Sequence, residues 1–298
     1  MRIGLINQLH GRPGGATPAP TWQTISARAK AAERAGFDIF VYEDALLYRG
    51  DAASDGVWES MAVSGALALA TETIRFGPSV MNAPYRHPGV VASAAETLGE
   101  ISDGRFVLGV GAGNTDDYRA FGIPADPRYS RFAGWLPIVH GLLRGEVVTT
   151  DGPYHAAEHA ELVLRGPREV PIVVAARGPR MLRLTARFAS GWNWWASGRS
   201  DSAIADLARL VRELDIACDE SDRDPATLTR TLDFYTVIAP GSTGEAPDGA
   251  ISGSAERIAE EILGFRSLGI EEVRCDVHPK TTEAIDAMTD VVRLVHAR

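Results

Sequence analysis

The sequence predicts an α/β fold, a (β/α)8 TIM barrel formed as a single domain over residues 1–298. Three observations predict it. Eight short apolar runs recur along the chain, and their near-continuous apolar character suits parallel strands covered on both faces. Helical patterns stand between the runs, the order that a parallel barrel requires. No linker or low-complexity tract interrupts the alternation, and the longest excursion, 114–169, falls between the fourth and fifth strands. A doubly wound open sheet is the runner-up. With 45% hydrophobic and 23% charged residues, the chain has an ordinary globular balance.

The strands are expected at 2–8, 37–43, 74–80, 105–111, 170–176, 190–195, 229–238 and 271–277. The first helix opens at Thr21, an N-cap residue type, and stops at Gly36, a C-cap type. The second, "WESMAVSGALALATET", is rich in small residues, so another helix or a second subunit can approach it closely. The third places Pro88 at its start and Gly104 past its end. A later helix begins with a partial capping pattern at Ser254, and "TTEAIDAMTDVVRLVHA" closes the chain. The excursion holds one helix and a polar segment with a turn at Gly152 and Pro153. The Gly/Pro-rich stretch 239–253 reads as a long loop at the barrel mouth.

A formal net charge of -9 opposes nucleic acid and anionic membrane as partners. No apolar run approaches the roughly 20 residues of a membrane span, and the first residues carry no signal-peptide pattern, so the expected location is the cytoplasm. Lys30 and Lys280 are the only lysines, and Cys218 and Cys275 form no metal-ligand or redox pattern. His155 and His159 stand four apart, but no His/Asp set completes a ligand shell, and no metal is expected.

The run "RFVLGVGAGN" ends in Gly109, Gly111 and Gly113. A dinucleotide fingerprint fails here, because its third glycine would fall on Asn114 or Asp116. The glycines either leave room for a planar ring at the barrel mouth or relieve crowding inside it.

The segments "RHP" at the third helix, "SDGRFVLGVGAGN", "DDYRAFGIP", "RYSRF", "VPIVVAARGPRMLRLTARFASGWN" and "GSAERIAEEILGFRSLGIEEV" resemble the bacterial luciferase-like superfamily of flavin-dependent barrel enzymes. The order of the segments matches over nearly the whole chain. The resemblance implies reduced FMN or the deazaflavin coenzyme F-420 as cofactor, with its ring across the barrel mouth. It also implies a non-proline cis peptide at Ser79–Val80 beneath the ring, and a homodimer through the second helix, whose Ala62, Gly65, Ala66 and Leu69 form a smooth face.

Active sites of this architecture lie at the C-terminal strand ends, which selects Gln8, Glu43, Asp44, Asn82, Gly111, Asn114, Arg177, Trp192, Asn193 and Asp276. The turn Arg177–Gly178–Pro179 is the expected phosphate seat, since backbone amides at a helix start carry partial positive charge, with Arg180 able to add to it. Trp192 and Trp194 read as either an apolar substrate wall or outer core. In "YEDALLYRG" many relatives carry a catalytic His where this chain has Ala45. Asp44, Glu43 or Asn82 could then serve catalysis, and His10, past the first strand, is the other substitute. Without the family's His, the reading leans to a monooxygenase that receives reduced FMN from a reductase and acts on a small organic substrate. An F-420-dependent dehydrogenase or reductase, and a non-catalytic flavin-binding barrel, are the alternatives.

Overall fold

The computed structural model describes residues 1–15, 18–50, 53–113, 118–166, 168–196, 201–238 and 248–298. Asn114 and most of the stretch 239–253 lie outside the described residues. Eight parallel strands form the barrel: β1 (Arg2–Asn7), β2 (Ile39–Tyr42), β3 (Arg75–Pro78), β4 (Leu108–Gly111), β5 (Ile172–Ala175), β6 (Gly191–Trp195), β7 (Thr229–Ile238) and β8 (Glu272–His278). Each falls within or one residue beyond its expected span. β1 pairs with β2 on one side and β8 on the other, through Leu5↔Phe40 and Leu5↔Cys275. The remaining strands follow in chain order. Closure is made by the continuation of β3, Met81–Asn82, which pairs with β4 through Met81↔Val110 and Asn82↔Gly111. Between the two pieces the Ser79–Val80 peptide is cis, where it was expected.

The helices are α1 (Trp22–Ala35), α2 (Ser60–Ala70), α3 (Pro88–Ile101), α4 (Arg128–Leu143), α5 (Pro179–Phe188), α6 (Asp201–Asp219), α7 (Ala255–Gly264), α8 (Thr282–Ala287) and α9 (Thr289–His296). Their ends follow local chemistry. Thr21 Oγ1 accepts from the Thr24 amide at 3.2 Å, and Gly36 closes α1 at φ 86°, a left-handed conformation that glycine adopts without cost. Among the described residues no helix is long and apolar enough to cross a membrane.

The main core lies between barrel and helices and includes Phe40, Phe76, Leu108 and Trp192; Ile39, Val41, Val107 and Val173 form a separate apolar plug inside the barrel. Beside the plug runs a charged network that the apolar strand pattern did not announce. Arg274 donates to Glu272 Oε1 at 2.9 Å and to Ser79 Oγ at 3.0 Å. Arg2 and Arg75 donate to Glu272 Oε2 at 3.0 and 2.7 Å. Asn193 donates to Asp233 Oδ1 at 2.8 Å, and Ser79 Oγ to Asp233 Oδ2 at 3.3 Å.

Gly109 and Gly111 are packing glycines. A Cβ at Gly109 would lie 2.1 Å from the Pro78 carbonyl oxygen, and one at Gly111 would lie 2.9 Å from Val80 Cγ2. They let the kinked third strand approach β4, so both positions relieve crowding. Two further features were not expected. The excursion's polar segment is an antiparallel hairpin, Val148–Asp151 with Ala156–Ala160. Past β1 and β2, the segments His10–Gly11, Leu47–Arg49 and Ser54–Val57 form a small antiparallel sheet.

Candidate active site

That small sheet folds His10 and Tyr48 over the C-terminal end of the barrel. Beneath it is a cavity of about 530 Å³ lined by residues that include His10, Glu43, Tyr48, Ser79, Trp195 and Lys280. A volume of that size suits a small-molecule site.

Glu43, at the end of β2, organises one wall. Its Oε1 accepts from the backbone amides of Leu9 and His10 at 2.7 and 2.9 Å and lies 2.7 Å from His10 Nδ1. Its Oε2 accepts from the Tyr48 hydroxyl at 3.0 Å. Burial pushes this carboxyl up, but the hydrogen bond and charge of His10, the Leu9 amide and Tyr48 outweigh it and hold Glu43 below the usual glutamate range. An ionised carboxylate only accepts, so His10 Nδ1 carries the proton, and in the neutral ring Nε2 keeps its lone pair. The Tyr48 ring meets the imidazole edge-on at 5.1 Å. The arrangement is a histidine oriented by a carboxylate, on the wall of a cavity, able to move a proton.

The geometry gives the other two expected catalytic side chains supporting places. Asp44 is buried, and its oxygens accept from Ser60 Oγ at 2.7 Å, the Asn82 amide at 2.8 Å and both terminal nitrogens of Arg86 at 2.8 Å. A carboxylate has about four acceptor positions, and all are taken, so Asp44 ties the β2 end to Arg86. Asn82 donates through Nδ2 to the Asp44 carbonyl and accepts through Oδ1 from the Tyr118 hydroxyl at 2.8 Å. It braces the third strand outside the cavity. Ala45, in the family's His position, is buried.

The opposite wall comes from β6, β7 and β8. Trp195 and Tyr235 meet edge-on at 5.0 Å, and Tyr235 meets His278 at 5.7 Å. Lys280 pairs with Asp276. Here the expected tryptophan wall needs correction. Successive strand residues face opposite ways, and Asn193 points into the barrel. Trp192 and Trp194 therefore face the helices: Trp192 is fully buried with its Nε1 donating to the Ala176 carbonyl at 2.8 Å, and Trp194 packs against the outer core. Trp195, on the inward parity, lines the cavity instead.

On the far side of the mouth, Gly178 is the N-cap of α5 with no side-chain cap, and Pro179 opens the helix. A Cβ at Gly178 would meet nothing within 4 Å. The open amides of this turn fit a phosphate. The neighbouring arginines are engaged elsewhere, Arg177 with Asp206 at 3.5 Å and Arg180 over the Tyr129 ring at 3.6 Å. Ser79 and Val80 are half-exposed at the lumen top. Among the described residues no group of three His, Cys, Asp or Glu side chains could hold a metal ion.

Sequence reasoning named Glu43 and His10 separately and missed their pairing. It also missed Tyr48, Trp195, His278 and Lys280 as wall residues. Strand parity could have found Trp195, whereas no sequence signal marked Lys280.

The chain belongs to the luciferase-like monooxygenase family, whose model matches residues 1–246. It is 39% identical over 217 residues to the F420-dependent glucose-6-phosphate dehydrogenase of Beutenbergia cavernae, covering 70% of this chain but 62% of that protein. To the 5,10-methylenetetrahydromethanopterin reductase of Archaeoglobus fulgidus it is 28% identical over 275 residues, covering 92% of this chain and 75% of the other. The fold superposes on an F420-dependent secondary alcohol dehydrogenase solved with an F420-acetone adduct, with a TM-score of 0.83, 19% identity and coverage of 99% and 98% of the two chains.

Proposed function

We propose that this chain is an F-420-dependent oxidoreductase acting on a small alcohol or carbonyl substrate, with His10 as its acid–base residue. The observation that carries the reading is the 2.7 Å contact of His10 Nδ1 with Glu43 on the wall of the mouth cavity. The printed name of the 39%-identical relative, an F420-dependent dehydrogenase, supports the deazaflavin alternative over the oxygenase preference. That preference rested on Ala45 and a missing base, and the His10–Glu43 pair removes its ground.

Bound coenzyme F-420 supplies a ring that accepts or gives hydride. The chain's own residues do the rest. The open amides of the Arg177–Gly178–Pro179 turn would hold the cofactor's phosphate, and Ser79 and Val80 would support its ring. As the carbinol carbon of an alcohol loses hydride, its hydroxyl proton passes to His10 Nε2. Glu43 holds Nδ1–H, keeps the reacting nitrogen basic and stabilises the imidazolium that forms. Tyr48 holds Glu43. In the reverse direction Nε2 returns the proton to a carbonyl oxygen.

The test is to titrate the protein with F-420 and with FMN, following both spectra, and then to assay alcohol oxidation with oxidised F-420. His10→Gln should lower kcat by about 10²–10⁴-fold with cofactor affinity kept. Tight FMN binding with oxygen consumption by the reduced form, or full turnover by His10→Gln, would overturn the proposal.

A further inference from the structure

Arg28, on α1, is a half-buried cation with no anion of its own. Its guanidinium donates to Asn7 Oδ1 at 3.3 Å and to the Lys280 carbonyl, both neutral oxygens. Among the described residues no carboxylate forms an ion pair with it. Burial lowers its pKa, and burial together with Arg28 itself presses Lys280 down from the usual lysine range. Two cations thus crowd one another, and the carboxylate close to Lys280, Asp276, is engaged by Lys280 itself. Glu43, the next acid, is committed to His10 and Tyr48. Cations withdrawn from water are ordinarily paired.

Beside them is space. A second cavity of about 400 Å³, bounded by Pro18, Pro20, Thr24, Arg28 and Lys280, shares Gln8 and Lys280 with the mouth cavity. The two are therefore contiguous at the β1/β8 side of the barrel. In strand order β5 stands four places from β1 in either direction, so the phosphate turn at α5 is diametrically opposite. A cofactor anchored at that turn leaves the β1/β8 side for another molecule.

We propose that the substrate carries an anionic group, a carboxylate or a phosphate, that seats on the Arg28 guanidinium and the Lys280 ammonium. The planar fork of Arg28 suits the paired oxygens of such a group. Lys280 supplies the second charge, and the reacting carbon then lies across the shared boundary toward His10. The inference rests on the mouth cavity being the active site, as proposed above.

Inorganic phosphate and acetate serve as probes, titrated calorimetrically into wild type, Arg28→Gln and Lys280→Gln, with thermal unfolding as a check of fold. Wild type should bind at least one probe, and each substitution should weaken it by about tenfold or more. Lys280 lies on a loop, so its variant keeps the test decisive if Arg28→Gln does not fold. Equal affinity in the folded variants, or no binding by wild type, overturns the inference. Titrating F-420 into the same proteins separates the two proposals. F-420 binding without anion binding sinks the anion seat alone, and anion binding without F-420 binding sinks the cofactor reading alone. Repeating the anion titration on F-420-saturated protein decides the source. Retained affinity assigns the seat to the substrate, and lost affinity assigns it to the cofactor's own anionic groups and overturns the inference.

Discussion

Asp233 is the sharpest place to test the charged network inside the barrel. It is 4% exposed, and burial raises its carboxyl from 3.8 to about 6 against the opposing pull of Arg274, Asn193 and Ser79. A carboxyl raised on folding destabilises the native state once it ionises. Below 3.8 the group is neutral in both states and costs nothing; between 3.8 and about 6 the cost grows; above about 6 it is fully present. At about 1.4 kcal/mol per pKa unit, a rise of about two units costs about 3 kcal/mol at pH 8, roughly half of that at pH 5 and well under 1 kcal/mol at pH 4. Asp233→Asn removes the titration and keeps the shape. Its own hydrogen bonds add an offset that does not vary with pH, so the diagnostic is the change in the gap between variant and wild type. Urea unfolding at pH 8, 5 and 4, analysed by linear extrapolation, should show the variant gaining on wild type by about 2 kcal/mol between pH 4 and pH 8. A gap that stays constant, or one that moves toward wild type as pH rises, would refute the account of Asp233.

Three further outcomes are expected. Gly178→Val finds open space and a compatible backbone at φ -92° and ψ 155°, so it should cost α5 no more than about 1 kcal/mol while weakening F-420 binding about tenfold, as loss of a charge-assisted contact does; unchanged affinity in the folded variant takes the phosphate away from this turn. Gly109→Ala drives a Cβ to 2.1 Å from the Pro78 carbonyl oxygen and should cost about 1–3 kcal/mol in urea unfolding, whereas a variant as stable as wild type would show that β3 moves aside easily. We also propose a homodimer through α2, where Ala62 is exposed and Leu69 is 80% exposed; light scattering at micromolar concentration should give twice the chain mass, and a monomer mass there ends the idea.

The chain's local chemistry settled the order and placement of the elements. Apolar runs of strand length, the cap at Thr21 and the left-handed stop at Gly36 act within a few residues of themselves, so eight strands and most helix starts were legible. The phosphate turn was legible as a candidate for the same reason, since Gly178–Pro179 marks a strand-to-helix junction by composition alone. What lies across the barrel was not. The inward or outward sense of "GWNWW" depends on how β6 registers against β7, and that register turned Trp192 and Trp194 outward and Trp195 inward. Gly109 and Gly111 yield to Pro78 and Val80, neighbours about 30 positions earlier in the chain. The pairing of His10 with Glu43 needed the small antiparallel sheet that folds the β1 loop over the end of β2. Ser79, Asp233 and Arg274, distant in the chain, meet only where the third, seventh and eighth strands stand around one barrel interior. Propensity and capping act through bonds and one helical turn, and the sequence displays both directly. The site is made by side chains meeting through space, and only the closed barrel sets which of them meet.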